Sequence, residues 1–174
     1  MKMKNPFLFA LAVRRGFMYN IVMEISEKTN DGCILDSVRA AFGPLDTELK
    51  DPTQLGPLVL AYIGDTVYDL YVRTKLVTST GLTAHGLHLA AAKRVCAKAQ
   101  AEAYRRAEDI LTEEETAIFR RGRNSHIGTV PKNASIADYR SATGLEAVIG
   151  WLYLSGKDER LAEIMTILLD EQKD

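Results

Sequence analysis

What this sequence has little of narrows it first. It holds two cysteines, Cys33 and Cys96. They are too few for a disulfide framework and neither lies in a C-x-x-C, so they read as free thiols of a reducing compartment rather than as zinc ligands. No stretch reaches the ~18 consecutive apolar residues that span a bilayer as a helix. No G-x-x-x-x-G-K-[ST] occurs, which removes a P-loop, and no G-x-S-x-G, which removes a serine-hydrolase elbow. Strand-like alternation, internal repeats and low-complexity tracts are missing too, so the expected class is all-α. The net charge of −1 gives no bulk pointer to nucleic acid, although a local basic patch can sit on a neutral protein.

What is there fits one domain: 174 residues, 47% of them hydrophobic, can bury a real core. The first 23 residues carry Lys2, Lys4, Arg14 and Arg15 and no acid. The apolar run 6–13 is short for a signal peptide and no small-residue cleavage site follows it. An organelle-targeting leader and an upstream extension, with Met18 or Met23 as the start, are both open; a poorly ordered extension is expected. Asp36–Phe42 is a short helix candidate, and Gly43-Pro44 and Asp51-Pro52 punctuate the chain. Residues 1–52 are therefore read as extension and linker, and 53–174 as the domain.

Pro57 suits the first turn of a helix. That helix is expected to run to about Val77, apolar on nearly every side and so central and buried. Gly64 within it would let another helix approach closely. A second, long helix is expected from Thr83 to about Ala107, with Ala92, Cys96, Ala99 and Ala103 inward and Arg94, Lys98 and Arg105 on another face. Those cations are either a solvated surface or a ridge that tracks phosphates. His85 and His88, three apart, lack a nearby acid or third ligand and read as surface residues. Thr112-Glu-Glu-Glu115 is a capping box that opens a short helix ending near Gly122. From Arg120 to Asn133 the chain carries Arg120, Arg121, Arg123, His126 and Lys132 and no acid. Its glycines and Pro131 make this stretch an expected loop that offers donors to phosphates. Ser135 and Asp138 cap a helix to about Leu154, and a last amphipathic helix covers 157–171.

Two acids stand out. Asp65 is set in the apolar segment from Leu58 to Val72, and Glu146 is the only charge between Leu145 and Leu154. A buried carboxylate is costly unless it is paired, hydrogen-bonded or bound to a metal. One such residue is commonly a structural acceptor; two, in two apolar helices, could meet around one cation. Hard oxygen ligands suit Mg²⁺ or Mn²⁺. Acids, metal and a basic loop together point to metal-assisted hydrolysis of a phosphodiester.

These residues also carry a family resemblance. Leu60-Ala-Tyr-Ile-Gly-Asp-Thr-Val-Tyr-Asp-Leu-Tyr-Val-Arg73 resembles the signature helix of the ribonuclease III family. Thr143-Gly-Leu-Glu-Ala-Val-Ile-Gly-Trp-Leu-Tyr-Leu154 resembles its second acidic segment. Ala-Lys-Ala-Gln-Ala at 97–101, Arg-Arg-Gly-Arg-Asn at 120–124 and Thr-Val-Pro-Lys-Asn at 129–133 are similar to the short Mini-ribonuclease III branch. The resemblance covers about residues 55–170. It implies the all-helical ribonuclease III-type endonuclease domain, working as a homodimer and without the separate RNA-binding domain of the full-length enzymes. It implies Asp65 and Glu146 as the catalytic acids that hold Mg²⁺, and cleavage of double-stranded RNA to 5′-phosphate and 3′-hydroxyl ends. It further implies a bacterial, cytoplasmic role in maturing the 23S ribosomal RNA precursor. With no separate module, the domain itself would grip RNA, through Arg120, Arg121, Arg123, Asn124, Lys132 and Asn133, with Arg94 and Lys98. No membrane partner is implied. Ala61 and Thr143 stand where the larger enzymes carry a glutamate and an aspartate, so a leaner acidic site is expected; Asp69 and Asp138 are candidates to support it, or are helix-cap and surface groups. A catalytically silent RNA-binding or ribosome-associated relative is the alternative, and retention of both acids argues against it. A purely structural helical dimer is a third reading, which the acid-free basic stretch opposes.

Overall fold

The structure, a computed structural model, describes Val38, Ala41 and residues 51–126 and 135–170. Val38 and Ala41 are helical and belong to a unit, Met1–Pro44, separate from Leu45–Asp174. The rest of the expected Asp36–Phe42 helix lies outside the described residues, as do the N-terminal leader, Cys33, and Lys132 and Asn133.

No strand occurs among the described residues; the fold is all-α. A 3-10 turn, Pro52–Gln54, leads into α1 (Pro57–Ser79), α2 (Ala84–Arg94) and α3 (Ala97–Ala107). A second 3-10 turn, Glu108–Ile110, precedes α4 (Glu113–Arg123), α5 (Ile136–Leu154) and α6 (Asp158–Leu169). The starts are chemically marked. Pro57 occupies the first turn of α1. Thr112 and Glu115 form the reciprocal capping box of α4. The Ser135 hydroxyl accepts from the Asp138 N–H at 3.0 Å. Gly156, with φ of +66°, takes the left-handed conformation after α5.

The helix at the centre is α5, not α1. Between Ala142 and Tyr153 every residue of α5 is buried except Glu146. Fully burying side chains such as Leu145, Ile149 and Leu152 stabilises by about 1.5–3 kcal/mol each. α1 makes the most extensive packing against α5, through Leu60, Ala61, Gly64, Val67, Tyr68 and Val72 at helical spacing. Its other side is exposed: Leu58, Val59, Tyr62 and Val77 face outward despite their apolar character. Asp65 is also exposed rather than enclosed. The expectation of a wholly buried α1 is thus corrected.

The pairing of α1 with α5 depends on two glycines. A Cβ on Gly64 would overlap the carbonyl oxygen of Glu146 and lie 2.8 Å from the backbone nitrogen of Gly150. A Cβ on Gly150 would overlap the carbonyl oxygen of Leu60. The two backbones therefore touch where any side chain would separate them.

Two further expectations change. The single long helix from Thr83 to Ala107 is two, because Cys96 adopts an extended conformation (φ −73°, ψ 152°) and becomes the N-cap of α3. Of the expected inward residues Ala103 is buried and Ala99 half-buried, but Ala92 and Cys96 are exposed, and Ala91, Gln100, Ala101, Tyr104 and Ala107 are buried instead. Arg120, Arg121 and Arg123 belong to the last turn of α4 rather than to a loop. Gly122 in that turn serves close packing, since a Cβ there would meet Ala147 Cβ, Gly144 Cα and Thr143 O at 2.9 Å each.

An enclosed ion pair locks α4 to α6. Glu115, 2% exposed, accepts from Arg160 Nε and NH2 at 2.9 Å each and from the Thr112 N–H at 2.8 Å. Burial pushes the Glu115 carboxyl up, but the donors of Arg160 and Thr112 outweigh it and hold the group below its ordinary range.

Candidate active site

Three helices meet at one cleft. α1 contributes Asp65, α5 contributes Glu146 and α3 contributes Gln100. The cleft has a volume of about 680 Å³, and Tyr62, Thr66, Cys96, Tyr139 and Thr143 also line it. Asp65 and Glu146 come together because Gly64, the residue before Asp65, lies against the backbone of Glu146. Asp65 sits towards the exposed mouth and Glu146 is half-buried.

The two carboxyl groups are directly coupled. Burial pushes Glu146 up to about 8, and the charge of Asp65 and a hydrogen bond to it add to the rise. Asp65, although its residue surface is exposed, is partly desolvated by the cleft walls, which raises it, reinforced by the charge of Asp69, while the hydrogen bond with Glu146 pulls it down. Of the two, Glu146 is the group that holds its proton to higher pH, and the hydrogen bond between them favours that proton. Gln100 works the other way, favouring the charged form of Glu146. Its Nε2 nevertheless makes no hydrogen bond of normal geometry. Among the described residues no group of three or more His, Cys, Asp or Glu side chains converges.

The supporting acids differ from one another. Asp69, one turn after Asp65, accepts from Arg73 Nε at 2.7 Å and acts on Asp65 through its charge. Asp138 contributes its backbone N–H to the Ser135 cap and pairs weakly with Arg105 at 3.5 Å. His85 and His88 are both exposed on α2.

The basic residues are spread over two regions. Arg120, Arg123 and Asn124 are exposed at the end of α4, whose Gly122 packs on Thr143 of the cleft wall. Cations at a helix C-terminus also complement its dipole. Arg123 lies 6.0 Å over the Phe119 ring, and its Nε reaches Asn124 Oδ1 at 3.4 Å. Arg121 is turned to its own chain, donating to the carbonyls of Thr53 at 2.5 Å and Leu55 at 2.8 Å. Lys98 is exposed, with Glu102 at 4.0 Å. Arg94 ends α2 and lines a separate cavity of about 430 Å³ beside Tyr68, Lys75 and Arg106.

Gln100 is the residue that reading the sequence for charge passed over. Its signal is the one amide side chain in the alanine-rich stretch 97–101.

An all-helical domain with two acids on touching helices beside a basic helix end is the architecture of a nuclease domain. The Ribonuclease III domain matches residues 58–157, and the chain belongs to that family: it is an endoribonuclease. Within the family it resembles proteins named Mini-ribonuclease 3. That of Thermoanaerobacter sp. (strain X514) is 51% identical over 113 residues, 65% of this chain and 80% of the relative. That of Clostridium tetani is 48% identical over 122 residues, 70% of this chain and 81% of the relative. A crystal structure of a Fusobacterium nucleatum protein superposes with a TM-score of 0.61 at 33% identity, covering 67% of this chain and 93% of that one. Among the described residues no helix is long and apolar enough to cross a membrane.

Proposed function

We propose that this endoribonuclease cuts double-stranded RNA with Mg²⁺, or Mn²⁺ in its place, held by Asp65 and Glu146, and that its substrate is the 23S ribosomal RNA precursor in the bacterial cytoplasm. In this reading residues 53–174 are the catalytic domain and 1–52 an extension. The observation that carries it is the convergence of Asp65 and Glu146 in one cleft.

The donor set fits a hard divalent cation. Two carboxyls that burial and each other's presence make harder to ionise gain most from a dication placed between them. With two acids and no third convergent ligand among the described residues, water and substrate phosphate would complete the coordination, as Mg²⁺ prefers. When bound, such an ion supplies positive charge to a transferring phosphoryl group and acidifies water. Asp65 and Glu146 would hold the ion, and the wall of Ala61 and Thr143 leaves open the space that larger acidic side chains would fill. Water would add to phosphorus as the P–O3′ bond breaks, with a proton from the water passing to the departing 3′ oxygen, which gives 5′-phosphate and 3′-hydroxyl ends.

Arg120, Arg123 and Asn124 are the proposed RNA contacts at the end of α4, continued by Lys132 and Asn133 along the chain. Lys98 and Arg94 extend the grip on α3 and α2. Arg121 contributes by fixing the end of α4 against Thr53 and Leu55. A-form RNA offers these groups its phosphates and wide minor groove.

The working form is proposed as a homodimer, one subunit for each strand. Support comes from the apolar outer side of α1, where Leu58, Val59 and Tyr62 are 48%, 56% and 80% exposed. Leu58 and Tyr62 also line the cleft, so a partner covering them would wall the site.

The test is a labelled RNA duplex, and a transcript carrying the terminal stem of the 23S precursor, incubated with Mg²⁺, Mn²⁺ or a chelator. The expected result is metal-dependent cutting of both, with 5′-phosphate ends. Binding of duplex without cutting in any metal would instead make the chain a silent RNA-binding relative.

A further inference from the structure

Gln100 enters the cleft from the first turn of α3. It is 1% exposed, and its Nε2 is buried with no hydrogen-bond partner. Buried donors in folded proteins are nearly always satisfied, so one left open marks a place where something is to be bound or held. Its neighbours Ala97, Ala99, Ala101 and Ala103 bring no polar side chain. Tyr62, Thr66, Tyr139 and Thr143 share the cleft with it, but the group it acts on is the Glu146 carboxyl, which Asp65 also meets.

We propose that Gln100 is the positioning residue of Glu146: when the acid is ionised, the Nε2 amide donates to one carboxylate oxygen and leaves the other turned towards Asp65. The inference rests on reading Asp65 and Glu146 as the cation-holding pair. The residue type suits the task. A lysine or arginine here would cancel charge that the pair needs in order to attract a dication. A third acid would add another like charge beside Asp65 and Glu146. An amide orients the carboxylate and leaves its charge intact, in the way that hydrogen-bond partners of metal ligands do elsewhere. Gln100 itself is too enclosed to reach an RNA strand, so its effect passes through Glu146.

The test uses the full chain with Gln100→Met, which keeps the length of the side chain and removes the donor, and Gln100→Leu as a second variant. Mn²⁺ binding to the RNA-free protein is followed by the electron paramagnetic resonance signal of free Mn²⁺. The Mn²⁺ dependence of duplex cleavage and the melting temperature without metal are measured alongside. The expected result is about tenfold weaker Mn²⁺ binding, the same shift in the Mn²⁺ concentration for half-maximal cleavage, and metal-free melting close to wild type. Unchanged Mn²⁺ binding, with or without a lowered melting temperature, overturns the proposal and leaves Gln100 a packing residue. In the wild-type protein, the side-chain amide resonance of Gln100 should move on addition of Mg²⁺; an unmoved resonance also overturns it. Asp65→Asn serves as the reference. If it loses Mn²⁺ while Gln100→Met does not, the inference about Gln100 alone is wrong. If Asp65→Asn binds Mn²⁺ as well as wild type, the reading of the acid pair is wrong.

Discussion

Gly64 lies directly against the backbone of Glu146: the carbonyl oxygen of Glu146 occupies the space that a Cβ on Gly64 would need. Because Asp65 follows Gly64, this contact is what sets the two acids side by side. The helix gains its site from a residue with no side chain.

A substitution tests that contact. Alanine favours an isolated helix over glycine by ~1 kcal/mol. Here Gly64→Ala is expected to destabilise instead, by about 3 kcal/mol, because the obstacle is backbone and cannot move aside like a flexible side chain. Urea unfolding of Gly64→Ala and Gly150→Ala gives the sign. A stabilised Gly64→Ala would mean that the helices stand further apart.

The acid pair predicts an unusual pH dependence for metal-free protein. The folded pKa of Glu146 is raised from 4.5 to about 8, so the folded state holds a proton that the unfolded chain releases. Stability from this group is full below about 4.5 and is lost as pH rises towards 8. Glu146→Gln lacks that titration, so its melting temperature should gain on wild type between pH 5 and 8 in the presence of chelator. Mg²⁺ should remove the difference by replacing the proton. Parallel melting curves for the two proteins across this range would contradict the coupling.

Much of the helix layout was legible in the sequence because its signals are local. Pro57, the Thr112–Glu115 box, Ser135 and Gly156 each act within one turn. Asp65 and Glu146 were legible as lone charges in apolar surroundings, and Gly64 as a place of close approach. What escaped is set by tertiary contact. The break at Cys96 carries no glycine or proline to announce it. Gly122 looked like a loop residue because a sequence does not show Gly144 across from it. The apolar outer side of α1 read as burial, since composition records an apolar side chain without saying which chain covers it. Gln100 was missed because an uncharged amide among alanines draws no attention until its unpaired nitrogen is seen.

The basic end of α4 predicts how binding responds to salt. Arg120→Ala and Arg123→Ala should each weaken duplex binding and reduce the slope of log affinity against log salt by roughly 0.9. Fluorescence anisotropy in chelator, where no cutting occurs, measures both. These two are the better choices for the test than Arg121, whose loss would free the carbonyls of Thr53 and Leu55. An unchanged slope in both variants would place the RNA on another surface.

The exposed side of α1 predicts the oligomeric state. Tyr62, 80% exposed, would be desolvated in the proposed dimer, where a charge is costly. Tyr62→Glu should convert dimer to monomer in sedimentation velocity and lower cleavage with it. A wild-type protein that sediments as a monomer at all concentrations would remove the dimer from the account.

The central claim is that Asp65 and Glu146 act as one site, and single-turnover cleavage of an RNA duplex at saturating Mg²⁺ tests it most directly. Groups that act as a unit are strongly non-additive. Asp65→Asn, Glu146→Gln and the double variant should therefore lose rate to about the same extent, at least ~1,000-fold, while still binding the duplex in chelator. Losses that multiply in the double variant, or a single variant that cuts like wild type, would contradict it.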